Sequence, residues 1–431
     1  MGQAKRRAEG SPTSVRHGVL RRSNSWANAA KVLLTAVIVV ALSGVSVAAY
    51  AVWGLVQGVQ TVDLVAPAED PEAVGAGVQS LDGALTVLLV GSDSRAGQSL
   101  DDGEEGELND VNLLLHVSAD HQNATVVSFP RDLMVPIPSC PGPNGEPNYY
   151  AAMSEQQLNS ALSYGGLPCV ALTIEKLTGM PVPYAGLVTF DGVIAVSNAI
   201  GGVEVCLIEP ISDDYTGLYL PAGDVTLQGY DALAYLRTRH GVGNGSDVSR
   251  ISNQQIFMSS LVREMRSADT LTNPVKVYGL AKAGVENMTL SSNMATVQFM
   301  QALAGTVADI DLERINFVQY PSFSHPYQEG RLTPDYPSAD TLIEILLAGQ
   351  PFEVGSMGEG VATVDPEGAV DAAPSDGAGV PGEVTDPAAP TDGTTPPADG
   401  TAVETGPVVL PQNITGQSAA TETCSQGRTQ Y

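Results

Sequence analysis

Residues 111–132 read VNLLLHVSADHQNATVVSFPRD, and the fold follows from how this stretch is read. The runs VNLLLHVS (111–118) and ATVVSF (124–129) have the length and branched apolar content of β-strands. Between them, ADHQN is short and polar, which predicts a hairpin turn. In a hairpin the start of one strand lies beside the end of the next. Asp110, just before the first of these strands, is therefore expected near Arg131 and Asp132, just after the second.

Upstream, ALTVLLV (84–90) supplies a further strand and is followed by GSDSR. If it runs parallel to 124–129, Asp93 and Arg95 arrive at the same sheet edge. Loops at strand ends are where open sheets bind ligands. Downstream, helices are expected at 167–178, 190–199, 228–236, 248–266, 293–307 and 339–348, and short strands at 203–207 and 314–320. Strands mixed with helices over this length predict one α/β domain, a mixed central β-sheet flanked by helices.

A second charged stretch is LRTRHGVGNGSDVSRISNQQ (236–255). Arg237 and Arg239 stand at alternate positions, which face the same way in an extended segment. GVGNG forms a flexible loop, Asp247 is a good N-cap for the next helix, and Arg250 and Gln254 are neighbours on one face of it. Guanidinium groups present forked donors that match phosphate oxygens, so several converging arginines suit a diphosphate. Asp93 and Asp110 would repel that anion unless a cation lay between, and Mg²⁺ is commonly held by one or two carboxylates plus phosphates. His240 abuts the arginines and is a weaker candidate, whereas His116, inside a strand, reads as structural. There is no GxSxG elbow and no Walker loop. The acid-rich 100–110 stretch lacks the spacing of an EF-hand and reads as a solvated loop.

The chain carries 20 Lys plus Arg against 48 Asp plus Glu, a formal net charge of −28. That balance argues against nucleic acid as a partner, because phosphate-backbone binding needs a basic face. Lys5, Arg6, Arg7, Arg16, Arg21, Arg22 and Lys31 crowd the first 31 positions, leaving 13 basic residues elsewhere. Five of those 13 are Arg95, Arg131, Arg237, Arg239 and Arg250. Residues 32–56 hold no charge for 25 positions, enough for one transmembrane helix, and Trp26 and Trp53 flank the run. The basic flank (1–31) places the N-terminus in the cytoplasm and the remainder outside, a single-pass protein of the cell membrane.

Residues 57–84 read as a stalk, 85–350 as the compact domain, and 351–431 as a disordered acidic tail rich in Pro, Gly, Ala and Thr. The final stretch, VVLPQNITGQSAATETCSQGRTQY, is less biased and could serve as a short docking element. Cys140, Cys169, Cys206 and Cys424 lie on the exported side, where disulfides persist, and no Cys/His cluster suggests zinc. Cys140 and Cys169, both beside loop prolines, are the favoured pair, although sequence alone does not fix the pairing.

Six blocks together resemble the LytR-CpsA-Psr family, proteins that attach glycopolymers to the bacterial cell wall. They are LLVGSDSR, NDVNLLLHVS, SFPRD (128–132), LNSALSYGG (158–166), FDGVIAVSNAIGGVEV (190–205) and LQGYDALAYLRTRHGVGNGSDVSRISNQQ (227–255). The resemblance spans about 85–320. It implies a membrane-anchored phosphotransferase that moves a glycan from a polyprenyl-diphosphate carrier to a peptidoglycan hydroxyl and releases polyprenyl phosphate. Carried over by motif, Asp93 and Asp110 would hold Mg²⁺. Arg131, Arg237, Arg239 and Arg250 would bind the diphosphate with Gln254 beside them, and Asp247 would orient or deprotonate the acceptor. The lipid chain would occupy an apolar tunnel. Two departures are Leu108 and Gln157, where many members carry a cation, and Arg95 stands as a compensating charge. A hydrolase acting on the same donor and a non-catalytic lipid-glycan receptor are the competing readings.

Overall fold

The structure is a computed structural model that describes residues 26, 28–39, 43, 58–64, 83–95, 98–100, 106–267, 270, 273–364, 370–372 and 407–428. The chain divides into two compact units, Met1–Gly54 and Leu55–Tyr431. In the first, the described residues are helical and exposed. No helix among the described residues is long and apolar enough to cross a membrane. Much of the expected basic segment and of the apolar run 32–56, including 1–25, 40–42 and 44–56, lies outside them.

The second unit is built on strands β1 (Gln60–Val62), β2 (Leu85–Ser92), β3 (Asn109–Val117), β4 (Ala124–Phe129), β5 (Met134–Ile137), β6 (Met153–Gln157), β7 (Tyr184–Val188), β8 (Val203–Leu207), β9 (Gly223–Leu227), β10 (Met288–Ser291), β11 (Ile315–Gln319), β12 (Ser322–Ser324), β13 (Leu332–Pro334), β14 (Val361–Val364), β15 (Val370–Ala372), β16 (Gly416–Ser418) and β17 (Thr423–Ser425). Its helices are α1 (Ala161–Thr178), α2 (Phe190–Ile200), α3 (Tyr230–Arg237), α4 (Asp247–Arg266), α5 (Pro274–Asn287), α6 (Val297–Ala308) and α7 (Tyr336–Leu347).

The main sheet runs β1-β10-β7-β2-β3-β4-β11-β16 and is mixed, as expected. β2 is antiparallel to β3 and β3 to β4, so β2 and β4 point the same way and their ends share an edge. The strand period of two sorts the side chains onto two faces. Leu88, Val90, Leu114 and Val127 face a core shared with Val170 and Ile174 of α1 and Leu342 and Leu346 of α7. Leu85, Val87, Val117 and Ala124 face a core closed by Phe299 and Ala302 of α6. Helices thus cover both faces. A smaller sheet, β9-β8-β17-β14-β15, carries a third core that includes Tyr235 of α3 and Phe257 of α4.

α1 starts earlier than the expected 167, at Ala161, and bends at Gly165 and Gly166. A Cβ on Gly165 would lie 2.9 Å from the Cβ of Cys169 and 3.0 Å from that of Cys140. Only glycine therefore lets α1 pass the Cys140–Cys169 disulfide, the pairing favoured from sequence. α5 was not expected: Asn273 caps it by accepting hydrogen bonds from the N–H groups of Val275 and Lys276.

Both ends of the compact domain extend past the expected 85–350. In the expected stalk, β1 pairs in parallel with β10. The expected disordered tail is corrected at 407–428. There β16 joins the edge of the main sheet, and β17 inserts between β8 and β14. Leu410, Ile414 and Ala419 are buried, and a second disulfide joins Cys206 to Cys424. A composition averaged over the tail hides these few apolar side chains. Residues 365–369 and 373–406 lie outside the described residues.

Candidate anion site above an apolar cavity

The hairpin does what its pattern requires: Asn112 is registered with Phe129, which puts Asp110 opposite Arg131. Arg131 Nη1 donates to Asp110 Oδ1 at 2.7 Å. Gly91 and Ser92 bracket a β-bulge at the end of β2, and the chain then turns so that Asp93 Oδ1 accepts from the Leu108 N–H at 2.7 Å. Burial pushes the Asp93 carboxyl above its ordinary range. The Leu108 N–H opposes this, the charge of Asp110 adds to it, and Arg95 pulls the other way. The five residues expected at this sheet edge, Asp93, Arg95, Asp110, Arg131 and Asp132, are thus linked through neighbouring pairs.

α4 brings the other half. Its N-cap is Ser246, whose Oγ accepts from the Ser249 N–H, so the expected capping role of Asp247 is corrected. Serine caps as well as aspartate does, and this leaves Asp247 at the first helical position with its carboxylate free for Arg250. Arg250 Nη2 lies 2.7 Å from Asp247 Oδ1 and donates to the Asp110 carbonyl oxygen at 2.9 Å. Arg250 Nη1 is 3.8 Å from Asp110 Oδ2, and Arg131 Nε is 3.7 Å from Asp247 Oδ1. Asp110, Arg131, Asp247 and Arg250 form a closed ring of alternating charge. The side chains of Arg250 and Asp247 are only 4% and 8% exposed. Even so, among the described residues neither Asp247 oxygen accepts a well-directed hydrogen bond, and the Nε groups of Arg131 and Arg250 meet no hydrogen-bond acceptor. The 2.7 Å contact is an ion pair out of line with the N–H. Buried polar groups left without partners are uncommon and point to a site that expects a ligand.

Arg237 closes α3 rather than lying in an extended segment, because the helix continues through it to an extended Thr238. Its guanidinium lies 4.6 Å above the ring of Phe190. Arg239 follows in the loop, and among the described residues its side chain makes no hydrogen bond or ion pair. Burial lowers its pKa, and the like charges of Arg250 and Arg131 lower it further against the pull of Asp247 and Asp110. Arg131 differs: burial works against its charge, but Asp110, Asp132 and Asp247 more than offset this. Among the described residues, Arg239 is thus the arginine of this cluster that has no direct ion-pair partner, only the longer-range pull of Asp247 and Asp110.

Below the ring lies a cavity of about 280 Å³. Leu89, Val90, Val193, Leu233, Phe257 and Met258 are among its lining residues, and Asp110, Arg237, Arg250 and Gln254 supply its charged and amide groups. Gln254 Nε2 donates to the Leu236 carbonyl oxygen at 2.9 Å and so holds the last turn of α3 beside the cavity. Arg250 and Gln254 share a face, as the spacing implied.

Among the described residues no group of three or more His, Cys, Asp and Glu could hold a metal ion. Asp93 and Asp110 are close enough to repel, which suits a hard divalent cation that takes two carboxylates and completes its shell with water or phosphate. Asp110 would share its charge between such an ion and Arg131.

Asp132, expected at this edge, adjoins the ring and brings in Arg331, which carried no motif signal. Asp132 lies 3.6 Å from Arg131 Nε and accepts from Arg331 Nη1 at 2.9 Å and from Gln157 Nε2. Arg331 sits in QEGRLTP, where neither spacing nor periodicity marks it. His240 stacks on Tyr215 at 4.4 Å, and His116 is buried against Thr86, a structural residue whose pKa burial lowers.

Fold and site together define an α/β domain in which cations and carboxylates cap an apolar cavity. Residues 58–333, well over half of the chain, match the model of the LytR_cpsA_psr family, and the chain belongs to that family. It is 33% identical over 262 residues to the cell wall biosynthesis protein LcpA of Corynebacterium glutamicum, covering 54% of this chain and 50% of that one. With the polyisoprenyl-teichoic acid–peptidoglycan teichoic acid transferase TagT of Bacillus subtilis it shares 29% identity over 195 residues, 43% of this chain and 54% of TagT. The chain spans about half the length of these curated relatives. The solved structure of protein gbs0355 from Streptococcus agalactiae shares the fold, with a TM-score of 0.50 at 19% identity over 62% of this chain and 88% of that one.

Proposed function

We propose that this protein is a glycopolymer phosphotransferase that moves a glycan from a polyprenyl-diphosphate carrier to a peptidoglycan hydroxyl. The observation that carries the reading is the convergence of Arg131, Arg239 and Arg250 around the site, with an apolar cavity below Arg250. A diphosphate suits the cationic end and a polyprenyl tail suits the cavity. The name of TagT, a teichoic acid transferase, supports the same direction.

In this mechanism Arg131, Arg237, Arg239 and Arg250 bind the diphosphate oxygens, and Arg95 balances the acids at the edge. The acceptor hydroxyl oxygen attacks the sugar-proximal phosphorus. Its bond to the bridging oxygen breaks, and polyprenyl monophosphate leaves with that electron pair. The hydroxyl proton passes to Asp247, whose oxygens lack well-directed donors. Asp93 and Asp110 would hold Mg²⁺, which neutralises phosphate charge when bound. Phosphoryl transfer depends chiefly on positioning and charge stabilisation, so no covalent nucleophile is required.

In the same reading, residues 32–56 anchor the protein in the cell membrane with the catalytic domain outside. Two disulfides accord with an oxidising compartment. The test is mass spectrometry of the full chain with Mg²⁺, a prenyl-diphosphate-linked oligosaccharide and a peptidoglycan oligosaccharide. A phosphodiester-joined product is expected. Release of glycan phosphate without joining would replace transfer with hydrolysis, and tight donor binding without turnover would make the protein a receptor.

A further inference from the structure

The β12–β13 hairpin stands against the anion site, yet the mechanism above does not use it. The Leu332 N–H donates to the Asp132 carbonyl oxygen at 3.1 Å, and Arg331 Nη1 holds the Asp132 carboxylate at 2.9 Å. That carboxylate is the one beside Arg131, so a single acidic group separates Arg331 from the diphosphate cluster. The turn between the strands is fixed. The His325 N–H donates to the Arg331 carbonyl oxygen at 2.8 Å, and the Tyr327 N–H donates to His325 Nδ1 at 3.2 Å. His325 Nε2 in turn lies 3.3 Å from Glu155 Oε1 on β6, the strand that also sends Gln157 to Asp132.

On this fixed frame Tyr327 is 91% exposed and Phe323 54%. A ring so exposed contributes almost nothing to folding by burial. Tyrosine is amphipathic and loses little entropy on contact, which suits it to recognition. The same turn carries Arg331, and His325, which accepts from the Tyr327 N–H, links it to Glu155 on β6, the strand of Gln157. A pyranose presents the matching chemistry: an apolar C–H face to lie on a ring, and a rim of hydroxyls for Arg331, Glu155 and Gln157.

We propose that Tyr327 and Arg331 form a saccharide subsite beside the phosphate site, taking a pyranose unit near the reacting phosphorus. The proposal rests on the transferase reading. The sugar can belong to the lipid-linked donor or to the peptidoglycan acceptor, since both present the same chemistry.

The test is steady-state transfer by the full chain with Tyr327→Ala, Tyr327→Phe and Arg331→Ala, varying a prenyl-diphosphate oligosaccharide and a peptidoglycan tetrasaccharide in turn. Tyr327→Ala and Arg331→Ala should each raise the KM of one glycan roughly tenfold with kcat little changed, while Tyr327→Phe keeps the wild-type KM. A rise confined to the donor assigns the subsite to the donor glycan, and a rise confined to the tetrasaccharide assigns it to the acceptor. Unchanged KM values for both, or a fall in kcat alone, would overturn it. If the wild type transfers nothing, the transferase reading fails and saccharide binding by saturation-transfer NMR decides the subsite. Tetrasaccharide binding lost in Tyr327→Ala keeps it, and no binding by the wild type removes it.

Discussion

Arg250 and Asp247 face each other across one turn of α4 at 2.7 Å, both nearly closed off from water. Removing one member of such a pair strands the other, and this typically costs roughly 3–5 kcal/mol. Arg250→Ala should therefore lower stability by about that amount as well as abolish transfer. Urea unfolding measures it, and a midpoint equal to that of the wild type would mean that Arg131 alone compensates Asp247.

Asp247→Asn keeps the shape of the side chain and removes its charge. If Asp247 receives the acceptor proton, kcat should fall by about 10²–10⁴, the usual contribution of a general base. Donor binding, followed by calorimetry, should stay within a few-fold. A kcat near the wild-type value would assign the proton to another group.

Arg239 has the opposite character: among the described residues it forms no direct ion pair, and burial and the like charges of Arg250 and Arg131 outweigh the pull of Asp247 and Asp110. Arg239→Ala should leave the melting temperature unchanged or slightly raised. Inorganic pyrophosphate should raise the melting temperature of the wild type by mass action and do so much less in the variant. Equal pyrophosphate effects in the two proteins would place the anion elsewhere.

The Asp93 carboxyl sits above its ordinary value, chiefly through burial. Its folded form thus holds a proton more tightly than the unfolded chain does. The resulting contribution to stability is present below the unfolded value, near 3.8, and fades as pH rises through the folded value. Mg²⁺ would need the ionised form, so Mg²⁺ affinity should weaken as pH falls through the raised folded value, with proton release on binding in that range. Calorimetry across that range reads both effects. Asp93→Asn should abolish Mg²⁺ binding, and a pH-independent affinity would move the ion off Asp93.

The hairpin 111–129 was legible because strand period and turn chemistry are local, and Asp110 opposite Arg131 followed from register alone. The N-terminal face of α4 was legible for a similar reason, since Arg250 and Gln254 are one turn apart. Arg237 was misplaced because no local signal ended α3 before it. Arg331 was invisible because its approach to Asp132 depends on how a distant hairpin packs, 199 residues away in sequence. The 407–428 segment was missed as ordered structure because its partners are supplied by β8 and β11, far upstream.

β17 is an interior strand of the smaller sheet, although it is encoded more than two hundred residues after β8. The chain beside it also holds the loop that carries Arg239. Gly243 donates to the Gln426 carbonyl oxygen at 3.1 Å, and the Arg428 N–H donates to Gly241 at 2.7 Å. A ribosome delivers residues 237–254 long before 424–428. The arginine loop therefore emerges before the segment that supplies these two hydrogen bonds. A chain ending before residue 424 would lack both of these bonds to the loop that carries Arg239.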